Sequence, residues 1–431
     1  MKLTILFLFL SLFVQARSWF LSPTGSDSNS GAVASPFFTL NRVWPYVSPG
    51  DSVVMRGGIY KYNQEQLLIN KNGIYGKPVT LINYRNEKVT ITKGLVSHWV
   101  YYAGVLVMGD HLRIQGLEIT GWNQESHDHL YYGLIMENCH FVTIAQCSIH
   151  DNGFGLVIGD WSSNYTNNIS VQNCDLYNNS DPITAYGTNT AWGGADGLRI
   201  GTQDPDAVIN VTGCRMWGNS DDGVDLYNCN STVNFNECWV WRNGFRPDGT
   251  AGGNGIGFKL GPSVYGYPGE VKRTLKNCLA AENRSIGFDL NTGQFRVEMV
   301  NLTSVKNARG FMFNYNADLK LQHIGINLLS VLNTFSSAPV AQFSQQSALI
   351  NCSFINVGWQ CVDNPMFMPS YNDFVSLDVD QLERPRIGGK GLPLVTCYHL
   401  KSTSNLIDAG YETRLPWAGT LPDLGCFEFY E

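Results

Sequence analysis

The sequence predicts an all-β protein, and within that class a parallel β-helix, on three observations. Five cysteines are each followed five residues later by an asparagine: Cys147 and Asn152, Cys174 and Asn179, Cys214 and Asn219, Cys238 and Asn243, Cys278 and Asn283. Two further units keep the spacing with leucine in place of cysteine, Leu302 with Asn307 and Leu328 with Asn333. A Gly-apolar-variable-apolar segment recurs between these pairs, at "GLIM" 133, "GLVI" 155, "GLRI" 197, "GVDL" 223, "GFKL" 257, "GFDL" 287 and "GFMF" 310. Fixed offsets repeated along a chain with insertions of varying length mark a solenoid, and short, Gly- and Asn-punctuated β repeats point to a β-helix.

Composition fits that class. Of 431 residues 44 are glycine, charged residues are only 15%, and the formal net charge is −7. Nothing resembles a basic patch for nucleic acid. The acidic balance argues against an acidic polymer as partner unless a metal or local cations reverse the sign. In chain order, Lys2, the apolar run Leu3–Val14 and the small-residue pattern Val14-Gln15-Ala16 read as a secretory signal peptide over 1–16. The run is too short to span a bilayer, and no later stretch is long and apolar enough, so a secreted, extracellular protein is expected. Residues 17–431 read as one β-helix domain, with an N-terminal cap over about 17–80, coils over about 80–360 and a C-terminal segment over about 361–431. A monomer is expected. Sequons at Asn164, Asn168, Asn178, Asn210, Asn230, Asn283, Asn301 and Asn351 suggest a glycoprotein in a eukaryotic host, although an Asn- and Thr-rich repeat also makes such triplets by chance.

Eleven cysteines would ordinarily announce disulfides in an exported chain. The repeat instead places them inside the solenoid as small apolar groups, with the asparagines forming a ladder at one corner. A disulfide is expected only outside the stack, as between Cys397 and Cys426.

Strand side chains alternate faces, so the variable residue of each Gly-apolar-variable-apolar segment points outward. That column runs Ile135, Val157, Arg199, Asp225, Lys259, Asp289, Met312. Asp196 and Asp222 precede their glycines at the same station on successive rungs, roughly 4.8 Å apart, with Asp221 and Asp225 adjacent. Converging carboxylates must be protonated or bind a cation, and an all-oxygen set suits Ca²⁺ before Mg²⁺. The other reading is a set of turn aspartates, with Asp225 in a charge ladder with Arg199 or Lys259. Lys259 stands one rung beyond Asp225. Beside a divalent cation its neutral form is favoured, which suits a general base; without that role it would simply neutralise Asp225.

Asp196 in "ADG", the "NSDDGVD" block and Lys259 in "GNGIGFKLG" resemble the family 9 polysaccharide lyases, right-handed β-helix pectate lyases. The flanks agree: "WFLSPTGSDSNSGAVASPFFTL" and "SPGDSVVMRGGIY" resemble their N-terminal strand and cap, and "SNLIDAG" and "LPDLGCFEF" resemble the closing segment of many β-helix proteins. The resemblance implies Asp196, Asp221, Asp222 and Asp225 as Ca²⁺ ligands and Lys259 as the Brønsted base of a β-elimination on a uronic-acid polymer, an acidic polysaccharide such as pectate. Arg199 and Asp289 would meet substrate, and Trp192 and Tyr227 are outward aromatics suited to stacking on sugars. This chain departs from the family pattern at "FKLGPSVYGYPG" after the lysine and in keeping only Asp289 on the next rung, which bears on substrate identity. Two other classes remain open at this point. A polygalacturonase-like hydrolase could use Asp221 and Asp222, but the Gly-His-Gly segment such enzymes carry is absent, and His127 and His129 lie far upstream. A non-catalytic carbohydrate-binding β-helix would have no need of Lys259.

Overall fold

The computed structural model describes residues 15–95, 103–125, 130–159, 166–183, 191–262, 270–313, 322–333, 341–343, 347–354 and 369–430. The leader 1–14, His127, His129, Asn164 and Cys361 lie outside the described residues. Three long sheets of 12, 10 and 11 strands run the length of the molecule, and every strand pairs in parallel with the equivalent strand of the next coil. The first sheet carries Ser18–Leu21 at one end and Ala348–Ile350 at the other; the second, the site sheet, runs from Gln66–Ile69 to Ala341–Phe343; the third runs from Gly58–Tyr62 to Ser353–Phe354. Among the described residues no helix is long and apolar enough to cross a membrane.

The cysteine and asparagine columns take the places their spacing dictates. Cys147, Cys174, Cys214, Cys238 and Cys278 are free thiols, buried in the interior. Each carbonyl accepts from the N–H opening the next rung, as Arg215 N–H does to Cys174 O at 2.9 Å and Trp239 N–H to Cys214 O at 3.0 Å. Leu302, Leu328 and then Cys352 continue the column. Along the asparagine ladder each side-chain amide donates to the next carbonyl oxygen. Asn179 to Asn219, Asn219 to Asn243 and Asn243 to Asn283 are each 2.9 Å, and the chain of bonds runs on through Asn307 to Asn333. A buried amide satisfied on both sides adds no desolvation penalty and fixes the rung spacing.

The repeated glycine is explained by the same ladder. A Cβ on Gly155 would sit 2.3 Å from Gly197 O and 2.9 Å from Asn179 Nδ2; one on Gly223 would sit 2.8 Å from Asn243 Nδ2. The glycine column is thus the floor on which the asparagine amides rest. Gly155→Ala, whose backbone N–H bonds Asp196 O on the next rung, is expected to cost about 1–3 kcal/mol through overpacking. A melting temperature equal to that of the parent protein would contradict this packing.

The inward residues of the site sheet form a stack of aromatic rings, Phe258 on Phe288 at 4.9 Å and Phe288 on Phe311 at 5.1 Å, both pairs near parallel. This apolar ladder under the site fixes which residues between them face outward.

Four expectations are corrected. The coils begin at Ser18, because Ser18–Leu21, Ser52–Met55 and Val79–Asn83 are the first strands of the first sheet; the region expected as a cap is mostly solenoid without the Cys/Asn signature. Among the described residues the short helix Leu40–Val43 closes this end: it lies beyond Gln66–Ile69, where Leu67 N–H donates to Asn41 Oδ1 at 2.6 Å and Leu40 N–H to Gln66 Oε1 at 2.9 Å. The C-terminal segment runs along the outer face of the third sheet. Trp217, Trp239, Trp241, Leu279, Val305 and Leu329 project from that face, and Phe374, Leu382, Leu406 and Leu424 bury them. Cys397 and Cys426 belong to that layer as free thiols, with Cys426 N–H donating to Thr303 Oγ1 at 2.9 Å. Among the sequons, Asn230, Asn283 and Asn301 are buried, Asn283 within the ladder, so the folded chain offers them to no glycan; Asn168, Asn178 and Asn210 are exposed.

Candidate active site

The outward column of the site sheet holds its register. Val157 pairs with Arg199, Arg199 with Asp225, Asp225 with Lys259, Lys259 with Asp289, and Asp289 with Met312. Asp196 and Asp222 enter from the turns before their strands, one rung apart, where Asp222 N–H donates to Asp196 Oδ1 at 3.1 Å. Ligand oxygens of Asp196, Asp222 and Asp225 all lie within 4.8 Å of one another. Asp221 stands beside this group, and its Oδ1 accepts the N–H of Asn254.

Lys259 reaches across a rung into the cluster. Its Nζ donates to Asp222 Oδ2 at 2.9 Å and Asp225 Oδ2 at 3.1 Å. Asp222 also takes a backbone donor, Ile256 N–H to its Oδ1 at 2.7 Å. All five side chains are buried, Lys259 most open at 8% exposure. Burial, and then Asp225, Asp221 and Asp222, push the Asp196 carboxyl well above the usual carboxylate range. Burial and Asp222 push Asp221 the same way. For Lys259 burial favours the neutral amine, but Asp222, Asp225, Asp221 and Asp196 together outweigh it and hold the ammonium well above its ordinary range. Four carboxylates thus share one ammonium.

Two carboxylate oxygens inside the cluster, Asp196 Oδ2 and Asp225 Oδ1, are buried with no hydrogen-bond partner among the described residues. A buried carboxylate oxygen without a donor costs free energy that a cation would recover. Three converging carboxylates with unsatisfied oxygens fit a hard divalent cation such as Ca²⁺.

The other expected residues surround this centre. Asp289, one rung on, is buried; its Oδ1 accepts Asn291 N–H at 2.9 Å, and burial raises its pKa to about 7. The Arg199 guanidinium lies 5.9 Å from the centre of the Phe154 ring. Trp192 borders Asp221 through its backbone, since a Cβ on Gly253 would touch both Trp192 O and Asp221 Oδ1; Arg246 covers its ring at 5.2 Å. Tyr227 is half-buried two residues beyond Asp225.

Asp181 was missed by the sequence reading, although the signal was present: "NSD" at 179–181 reads "NNSD" in context, and the same triplet recurs at 219–221. Ser180 N–H and Ser220 N–H bond to the asparagine carbonyl one rung back, so Asp181 holds the station of Asp221 on the preceding rung. It accepts Ser220 Oγ at 3.2 Å, its Oδ2 is buried without a partner among the described residues, and burial raises its pKa to about 7. The folded chain therefore binds a proton that the unfolded chain, with an ordinary aspartate pKa of about 4, has released. Stability contributed by that proton is present below about pH 4 and is lost as pH rises through about 7. Asp181→Asn is expected to raise the melting temperature relative to the parent at pH 8 and to change it little at pH 4. An offset independent of pH would exclude this titration.

Comparison with known proteins places the chain in a family. The family described as "Pel9A-like, right handed beta helix region" matches residues 19–325. Pectate lyase L of Dickeya chrysanthemi is 28% identical over 428 residues, covering 96% of this chain and 90% of the relative. Pectate lyase PEL9 of Emericella nidulans is 28% identical over 325 residues, 70% of this chain and 76% of the relative. The crystal structure of pectate lyase Pel9A superposes with a TM-score of 0.73 at 26% identity, covering 96% of both chains. With a matching family region spanning most of its length, a shared right-handed solenoid and relatives of this kind, the chain belongs to the family of Pel9A-like right-handed β-helix proteins, among the polysaccharide lyases.

Proposed function

We propose that the protein is a secreted, Ca²⁺-dependent lyase that cleaves a uronic-acid polymer, pectate or polygalacturonate, by β-elimination. The observation that carries this reading is Lys259 Nζ within hydrogen-bond reach of Asp222 and Asp225, on the outward face of a buried carboxylate cluster. Asp196, Asp222 and Asp225 would hold Ca²⁺, with Asp221 as a fourth carboxylate beside them. The cation, when bound, offsets the carboxylate charge that keeps Lys259 protonated and draws charge from the substrate's carboxylate.

The chain's residues then act as follows. Lys259 Nζ, as neutral amine, removes the proton on carbon 5 of the uronate. The electron pair forms the double bond between carbons 4 and 5, the bond from carbon 4 to the glycosidic oxygen breaks, and that oxygen takes a proton from water. Arg199, on the rung before Asp225, faces the negative charge that develops on the carboxylate. Asp289, neutral over part of the physiological range, lies one rung past the base and borders the same face. Trp192 and Tyr227 flank it as sugar contacts. The leader over 1–16 supports export. Incubation with polygalacturonate and Ca²⁺ is expected to yield unsaturated products absorbing in the ultraviolet. Reducing ends released without that absorbance would replace the elimination with hydrolysis.

A further inference from the structure

A chain of net charge −7 must still attract an acidic polymer, and the carboxylate cluster is itself negative until a cation binds. A cleft of about 1090 Å³ opens on a different face, beside the third sheet, and none of Asp196, Asp222, Asp225 or Lys259 lines it. Five basic side chains do: Arg215, Arg242, Arg246, Arg284 and Lys306. Against them stand three acidic ones, Asp175, Glu282 and Glu383, so the sign of the whole chain is reversed here. Arg215 is committed to Asp175, Arg242 to Glu282 and Asp380, and Lys306 to Glu282. Arg246 and Arg284 are exposed and form no ion pair among the described residues.

The shape suits a linear ligand. Asn178, Gly218, Arg242, Glu282 and Lys306 line the cleft at one turn station on five successive rungs, each N–H bonded to the next coil. Four rung spacings make a length of roughly 19 Å. Tyr177 and Trp217, stacked on each other at 4.2 Å, give one wall an aromatic edge. The cleft also shares a wall with the active site. Phe245, Arg246, Pro247 and Gly249 line it, and the same loop continues to Asn254 and Ile256, whose N–H groups hold Asp221 and Asp222. Arg284 ties the two sides by donating to the carbonyls of Gly253 and Asn254.

We propose that this cleft is a second binding site for the uronic-acid polysaccharide, in which the Arg246 and Arg284 guanidinium groups take carboxylates of a stretch of polymer other than the one being cleaved. Guanidinium and carboxylate match in charge and in fork geometry. The site anchors polymer without Ca²⁺, and its occupation bears on the loop that positions Asp221 and Asp222. The inference rests on the uronate-polymer reading for the ligand's class, but binding tests it apart from turnover. Trigalacturonate is titrated calorimetrically into the full-length mature protein in excess chelator, where the carboxylate cluster repels an anion. Saturable binding is expected, weakened by salt, and Arg246→Ala is expected to lower the affinity roughly tenfold to a hundredfold, the worth of one charge-assisted bond. Arg246→Glu, at an exposed position, should abolish it with an unchanged melting temperature. Absence of binding in chelator, or equal affinity in the arginine variants, overturns the proposal. Binding that persists in a protein yielding no unsaturated product leaves the cleft standing and removes the lyase reading; the converse pair of results does the opposite.

Discussion

Lys259→Ala is expected to lower turnover by about 10² to 10⁴, the range a positioned general base supplies. The substitution also removes the ammonium that satisfies Asp222 Oδ2 and Asp225 Oδ2. Breaking a buried ion pair leaves uncompensated charge, so the cation-free variant should melt below the parent, and Ca²⁺ should restore much of the difference while leaving turnover low. That divergence separates a chemical role from a structural one. Lys259→Arg sharpens the comparison. A guanidinium keeps the charge but holds its proton at any working pH, so an arginine here should be nearly as inactive as alanine. Near-parental turnover in Lys259→Arg would be incompatible with proton abstraction at this position.

The pH profile follows from the same contacts. The surrounding carboxylates raise the Lys259 pKa, which keeps the amine charged through neutrality when no cation offsets them. The base form accumulates as pH rises, so kcat should climb on the alkaline side, and raising Ca²⁺ should shift that limb to lower pH. A limb whose position ignores Ca²⁺ would detach Lys259 from the cluster.

Asp222→Ala is expected to have the second large effect, because Asp222 bonds both Asp196 and Lys259. It is fully buried; its N–H bonds Asp196, its Oδ1 accepts Ile256 N–H, and its Oδ2 accepts Lys259. Its loss should weaken Ca²⁺ affinity by at least tenfold and release Lys259 from its position, lowering turnover even at saturating Ca²⁺. Chelator should abolish activity of the parent protein, with Ca²⁺ restoring it better than Mg²⁺, whose near-octahedral demand suits a cage of fixed carboxylates less well. Calcium titration followed by calorimetry reads the first effect without turnover. Unchanged affinity in Asp222→Ala would move the cation elsewhere.

The register of the site was legible in the sequence for a simple reason. Side chains alternate with period two along a strand, and stacked parallel strands repeat at one spacing. Once Cys-x₄-Asn and Gly-apolar-x-apolar had each been aligned with themselves, Arg199, Asp225, Lys259 and Asp289 could occupy only one outward row, and they do. The same logic placed Asp196 and Asp222 on adjacent rungs. It could not say that the asparagine amides rest on the glycine column, because each glycine meets the asparagine of the following rung and not the one a few residues before it.

What only the tertiary structure decided lies in the turns and in the segments without a period. Turn lengths vary from rung to rung, so spacing alone could not send the 244–256 loop back to place Asn254 N–H on Asp221 and Ile256 N–H on Asp222, leaving Asp196 Oδ2 and Asp225 Oδ1 as the unsatisfied pair. Nor could it reveal that the C-terminal segment covers the third sheet, since that packing is set by the apolar outer face of Trp239, Trp241, Val305 and Leu329 and not by any repeat in the segment itself. A repeat carries its neighbour's geometry within its own sequence; a loop or tail takes its place from the surface it must bury and from the donors and acceptors waiting there.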